Sequence, residues 1–264
     1  MGTNTAIRHK RAPRSVWFGI LRGLTAGFGI CAIAWAAFSL IVDRARAPFE
    51  GAADSILRGE SFDSKRLGQL RKILDTAPTD LLGPAAVDDV AVIRLRLLEV
   101  KSNEGTIQAG SPDLANFRAA LVAALSENPN NSFLWLADYW TSRVTGDASD
   151  RGINALRMSY ETGPNEAWIA NRRNRIALKN FHSLPPDLAE QALSEFVRLV
   201  QSRLYRDAAN ILAGPGWPIH QQLLNRLAPL DETDRFAMAR ELARKDLDGV
   251  SVPGIPNDRP SRPF

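Results

Sequence analysis

Cysteine is almost missing from this 264-residue chain: Cys31 is the only one and it stands inside an apolar run, so a disulfide framework is excluded and a Cys/His zinc site is not expected. Histidine is nearly as scarce. His9, His182 and His220 form no i, i+4 pair, and no metal site is expected from them. A Gly-x-Ser-x-Gly nucleophile elbow and a phosphate-cradling Gly-rich loop are absent, so two common catalytic devices are missing. The adjacent acids Asp88 and Asp89 point in different helical directions and do not make an opposed carboxylate pair. These gaps predict a protein without a cofactor and without enzymatic chemistry.

Acidic residues are missing from the first 42 positions, which hold Arg8, Lys10, Arg11, Arg14 and Arg22, while the remaining chain carries 28 basic and 29 acidic side chains. The formal charge of +4 therefore belongs to the leader. A near-neutral body lacks the continuous positive surface needed to neutralise many phosphates, so a nucleic-acid partner is not expected.

Residues 23–42 read GLTAGFGICAIAWAAFSLIV, twenty positions without a charge. As a helix this run spans about 30 Å, the thickness of a bilayer's hydrocarbon core. Two readings compete: a retained membrane anchor, and a secretory signal cut after Ala45-Arg46-Ala47. The run exceeds a signal core in length and Pro48 follows the would-be cut, which favours the anchor. The basic residues ahead of the span place the amino terminus in the cytoplasm, and in a bacterium the body then lies in the periplasm beyond an inner membrane. Gly19, Gly23 and Gly27 repeat at small-xxx-small spacing, with Gly29, Ala32 and Ala36 nearby. Such a face lets a second helix approach closely, in a homo-oligomer or with another membrane protein, although glycine is common in membrane helices anyway.

Beyond Pro48 the pattern is helical, interrupted by Pro, Gly and Asn, with no convincing period-two strand. Leu114, Phe117, Leu121, Val122 and Leu125 form one stripe, entered through Ser111 as N-cap and Pro112. Leu188, Ala192, Leu193, Phe196, Val197 and Val200 form another, entered through Pro185-Pro186. Trp135 and Trp168 lie 33 residues apart, and Pro129 and Pro164 lie 35 apart, bracketing the tetratricopeptide period of helix pairs. The match is degenerate, because Tyr139 and Arg172 stand where that repeat has a small residue. The resulting expectation is an all-α protein with a single transmembrane helix followed by a tetratricopeptide-like helical-repeat domain. Its divisions are a basic cytoplasmic tail (1–15), the span (16–42), a membrane-proximal helical segment (43–110), the repeat domain (111–248) and an extended or mobile Pro-rich tail (249–264).

Three features are candidates for binding. Trp135, Tyr139, Trp140 and Trp168 either pack a helical core or present faces for stacking on sugar rings. Arg172, Arg173 and Arg175 crowd one helix; Arg172 and Arg175 share a face that can hold a carboxylate or phosphate, or can simply be solvated and paired with Glu161 or Glu166. Gly214-Pro215-Gly216-Trp217-Pro218 reads as a rigid corner with Trp217 as its hydrophobic plug.

The segments ALRMSYETGPNEAWIANRRNRIAL (155–178) and LPPDLAEQALSEFVRLVQSRLYRDAANILAGPGWP (184–218) resemble a group of alphaproteobacterial, membrane-anchored helical proteins associated with exopolysaccharide biosynthesis and export. The resemblance spans roughly residues 115–255, and its most specific elements are Gly-Pro-Asn-Glu-x-Trp at 163–168 and Gly-Pro-Gly-Trp-Pro at 214–218. It implies an accessory or scaffold role beside polysaccharide assembly and export proteins. It carries no catalytic residue over. The alternative is direct binding of an acidic glycan or lipid-linked saccharide through the Arg and aromatic residues.

Overall fold

The computed structural model describes residues 14–60, 62–76, 83–105, 107, 110–147, 150–245, 247 and 250–256. Among these residues every regular element is helical. The chain divides into two units, Met1–Asp89 and Val90–Phe264, with the division falling inside the third helix.

The first unit is dominated by α1 (Arg14–Leu57), 44 residues in one helix. Within it, Leu21–Arg44 is long and apolar enough to cross a membrane, with a mean hydropathy of 2.0 and none of its window buried. The helix does not stop at 42 as the sequence pattern suggested but runs on through Pro48. Proline costs a helix one hydrogen bond and a clash one turn back. Burial on the far side outweighs that cost, since Phe49, Ala52, Ala53 and Ile56 recur at helical spacing and are all buried. The basic leader residues Arg8, Lys10 and Arg11 lie outside the described residues. A short connection leads to α2 (Ser64–Thr76), where the Asp63 carboxylate accepts from the Arg66 backbone N–H at 2.7 Å. Leu67, Leu70 and Leu74 bury one face of α2, and the Arg66 guanidinium covers the Phe62 ring at 4.4 Å.

The second unit begins within α3 (Gly83–Asn103) and continues through α4 (Pro112–Glu127), α5 (Ser132–Val144), α6 (Asp150–Thr162), α7 (Ala167–Lys179), α8 (Pro186–Gln201), α9 (Tyr205–Ala213), α10 (His220–Asn225) and α11 (Glu232–Ala243). Ser111 caps α4 as its sequence suggests, accepting from the Leu114 N–H, and Leu114, Phe117 and Leu121 are buried. Val122 departs from that stripe and is exposed. Asn131 caps α5, its side-chain oxygen accepting from Phe133 and Leu134 at 3.2 Å each. Short links fold neighbours back on each other, and contacts also reach the next helix but one: α5 meets α6 and α7, α6 meets α8, and α7 meets α8 and α9. A continuous apolar core runs from Ala170 of α7 through Phe196, Ile211 and Leu223 to Leu242 and Val252.

The tightest packing is between α5 and α6. A Cβ built on Gly152 would stand 2.8 Å from the Ser142 Cβ, and one on Gly163 would stand 2.6 Å from the Ser132 Cβ. Small residues at both ends of the pair thus let the backbones close up. The Ser159 hydroxyl donates to the Ser132 carbonyl at 2.9 Å between them.

Two expectations are corrected here. The Pro-rich end is not an extended tail throughout: Val252 is buried, Ile255 packs on the core and Arg235 donates to the Pro253 carbonyl at 2.7 Å. Residues 257–264 lie outside the described residues. Trp217 is not a plug either. It is 40% exposed, with its ring stacked on His220 at 4.5 Å, because the corner is filled by Gly216 pressed against Leu223 and the Ile211 carbonyl.

The end of α8 holds a non-glycine residue in the left-handed region, Arg203 at φ 62°. The Arg203 N–H bonds the Val200 carbonyl and the Leu204 N–H bonds the Leu199 carbonyl, the pairing of a helix terminus that usually carries glycine. Replacing Arg203 with Gly is expected to stabilise the chain by about 1 kcal/mol by relieving the Cβ conflict. Gly152→Ala is expected to destabilise it by about 1–3 kcal/mol, since α5 and α6 must move apart. Thermal melting followed by circular dichroism reads both, and an unchanged midpoint for Gly152→Ala would show slack at the α5–α6 crossing.

Candidate functional site

Helix α7 presents two faces with different work. Ile169, Ala170, Arg173, Asn174, Ala177 and Leu178 are buried, which leaves Trp168, Asn171, Arg172, Arg175 and Lys179 along the other side. This division separates the three arginines that the sequence groups together.

Arg173 is fully buried and is no ligand site, a correction of its candidacy. Its Nε and Nη2 donate to Glu195 Oε1 at 2.9 and 2.6 Å, Nη2 donates to the Gly163 carbonyl at 3.0 Å, and Nη1 donates to the Ser159 carbonyl. Its guanidinium carbon lies 4.2 Å from the Tyr160 ring centre. Glu195 is equally buried, and burial pushes its carboxyl pKa upward against the opposing pull of Arg173. The Tyr160 hydroxyl lies beside that carboxylate, outside hydrogen-bond geometry, and burial first and the carboxylate second raise its pKa well above the usual value. Asn174 next to Arg173 donates to the Ala192 carbonyl at 2.7 Å, a second tie from α7 to α8.

Arg172 faces outward and is half-buried. Its guanidinium carbon stands 5.5 Å from the ring centres of both Phe133 and Trp168, which are themselves 5.5 Å apart at 35°. Burial lowers its pKa, while Glu99 on α3, bonded to Arg96 at 2.9 Å, acts to keep it charged. Arg175 is positioned by Asn171, whose side-chain oxygen accepts from its Nε at 3.2 Å. From α5, Arg143 donates to Asn180 Oδ1 at 3.3 Å, at the carboxyl end of α7.

The aromatic candidates also separate. Tyr139 is a core residue, 1% exposed, with burial raising its phenol pKa to about 12. Trp135 turns its indole N–H to the Pro129 carbonyl at 2.7 Å and pins the link before α5. It is Phe133, missed in the sequence, that partners Trp168: each is the second residue of its helix, and they lie 35 residues apart, the spacing of Pro129 and Pro164. The proline spacing was the usable signal, and the tryptophan spacing of 33 misled by two residues. Trp168 is 44% exposed.

Elsewhere, Gly19, Gly23 and Gly27 are exposed on α1 with open space where a Cβ would stand. Asp89 meets Arg46 at 3.8 Å, and burial raises its pKa against that arginine. Among the described residues no cluster of His, Cys, Asp and Glu is arranged to hold a metal ion. The outward face of α7 therefore offers guanidinium and ammonium charge, amide groups and an indole edge, which suits recognition of an anionic partner.

Compared with protein-family models, curated proteins and solved structures, the chain matches none of them.

Removing one member of the buried pair strands the other, so Arg173→Met is expected to cost about 3–5 kcal/mol. Combining it with Glu195→Leu is expected to restore most of that loss, as read by chemical denaturation; simple additivity of the two would show that the pair is uncoupled. Tyr139, Tyr160 and Tyr205 all have raised pKa values, the last chiefly because its hydroxyl donates to Asp234. An ultraviolet titration of the native chain is expected to show delayed phenolate formation, well beyond the ordinary midpoint near ~10.

Proposed function

We propose that this chain is a non-enzymatic, membrane-tethered platform whose helical domain docks protein components of a polysaccharide biosynthesis or export machine. The observation that carries the reading is the bare apolar span. Leu21–Arg44 has none of its window buried, and an exposed apolar helix of that length is stable when lipid covers it. The span continues as one helix to Leu57, so a chain held this way diffuses in two dimensions and meets membrane partners at raised local concentration. In this reading α1 crosses a bacterial inner membrane with the amino terminus cytoplasmic, following the basic leader, and the helical domain stands in the periplasm.

A tetratricopeptide-like arrangement is the finer description of that domain. It is supported by the pairs α5–α6 and α7–α8, whose first helices start 35 residues apart, and by contacts between helices two apart in order. Such stacks expose one face of every first helix as a docking surface. The link to polysaccharide machinery rests on the resemblance in residues 155–178 and 184–218 and directs where partners are sought.

Alkaline carbonate washing is expected to leave the full chain in the membrane pellet, and release into the supernatant would remove the anchor. Protease added to spheroplasts is expected to digest the helical domain; full protection would place it on the cytoplasmic side. Crosslinking in native membranes is expected to recover polysaccharide-assembly proteins, and recovery of none from well-expressed chain would count against the scaffold reading.

A further inference from the structure

Helix α7 has a charge imbalance that the rest of its unit avoids. Among the described residues, every other helix of Val90–Phe264 that carries Arg or Lys also carries Asp or Glu, whereas α7 carries four cations and no acid. One of the four, Arg173, is neutralised inside the core by Glu195. The other three, Arg172, Arg175 and Lys179, follow Trp168 at steps of four, three and four residues, a single stripe along the helix. Arg143 of α5 is bonded to Asn180, the residue after Lys179, at the carboxyl end of the stripe.

The partners of these cations are informative. Arg172 faces Glu99, but Arg175 and Arg143 are held by the neutral side chains of Asn171 and Asn180, and neither they nor Lys179 meets a carboxylate among the described residues. A neutral amide that grips one guanidinium nitrogen fixes its direction without cancelling its charge, leaving the remaining N–H groups to a second acceptor. From Trp168 to Lys179 the stripe is about 16 Å long, enough for roughly five residues of extended peptide.

We propose that this row takes an extended acidic segment of the docked protein, its carboxylates meeting Arg175, Lys179 and Arg143 and an apolar side chain resting against the edge of Trp168. The inference rests on the platform reading and names what the platform holds. Peptide is favoured over a charged glycan because sugar rings use a broad open indole face. Here Phe133 lies against Trp168 and the Arg172 guanidinium sits over both rings. Asn171, whose side-chain oxygen is taken by Arg175, also has its amide N–H groups to offer to a peptide carbonyl.

The test uses the full chain in lipid nanodiscs, with a fluorescent peptide of alternating Glu and Leu as one probe and polygalacturonate as the other. Arg175→Gln/Lys179→Gln is expected to weaken peptide binding at least tenfold, with Arg143→Gln adding a further loss and Arg206→Gln, on α9, changing it less than twofold. Equal losses from Arg206→Gln would reduce the effect to general charge and overturn the proposal, as would an absence of peptide binding. Stripe-dependent binding of polygalacturonate without the peptide would replace the peptide with an acidic glycan. If crosslinking still recovers a partner equally well from the double variant, the stripe is excluded while the platform reading stands.

Discussion

A guanidinium sealed from water must find a counter-charge and an acceptor for each N–H group, and Arg173 meets that demand by gathering four residues from three parts of the chain around itself. Glu195 comes from α8, Ser159 from α6, Gly163 from the turn before α7, and Tyr160 covers the planar face. The hydrophobic drive that buries these helices is non-directional and does not by itself select one orientation of a polar side chain. A forked, charged donor does select one. The buried pair therefore fixes how α6, α7 and α8 stand relative to one another, and with them which side of α7 is turned outward.

That orientation is what makes the candidate surface. With Arg173 and Asn174 tied inward to α6 and α8, the remaining helical positions of α7 have one direction left, and Trp168, Arg172, Arg175 and Lys179 line it together. The close approach of α5 to α6 through Gly152, Ser142, Gly163 and Ser132 belongs to the same architecture, since it sets where Phe133 meets Trp168. A structural interaction and the proposed docking surface thus sit one residue apart in sequence and on opposite sides of one helix.

The amino-terminal helix has a different physical problem. Its apolar residues need cover that the described chain does not supply, while its carboxyl-terminal turns bury Phe49, Ala53 and Ile56. One continuous element thereby presents an uncovered apolar surface at one end and a packed face at the other. The passage through Pro48 shows that burial of a helical face outweighs a single lost backbone bond.

Much of this was readable from local pattern. The apolar run, the helical class, the Ser111 cap and the stripes of α4 and α8 depend on residues a few positions apart, where hydropathy period and capping chemistry act directly. Other features depend on contacts that distance along the chain conceals. Ile169, Ala170, Ala177 and Leu178 put position 173 on their apolar stripe, so the helical period alone marks Arg173 as the arginine that turns inward; what the run conceals is its partners, Glu195 twenty-two residues on and the carbonyls of Ser159 and Gly163. Phe133 was missed for the same reason, and the fold-back of Val252 and Pro253 onto the core needed Arg235 to be in place. Sequence alone determined the helical class and which segment suits a membrane, since those follow from nearest neighbours; only the tertiary structure decided that α1 runs on past Pro48 and which partners hold each buried charge, since burial belongs to the assembled chain.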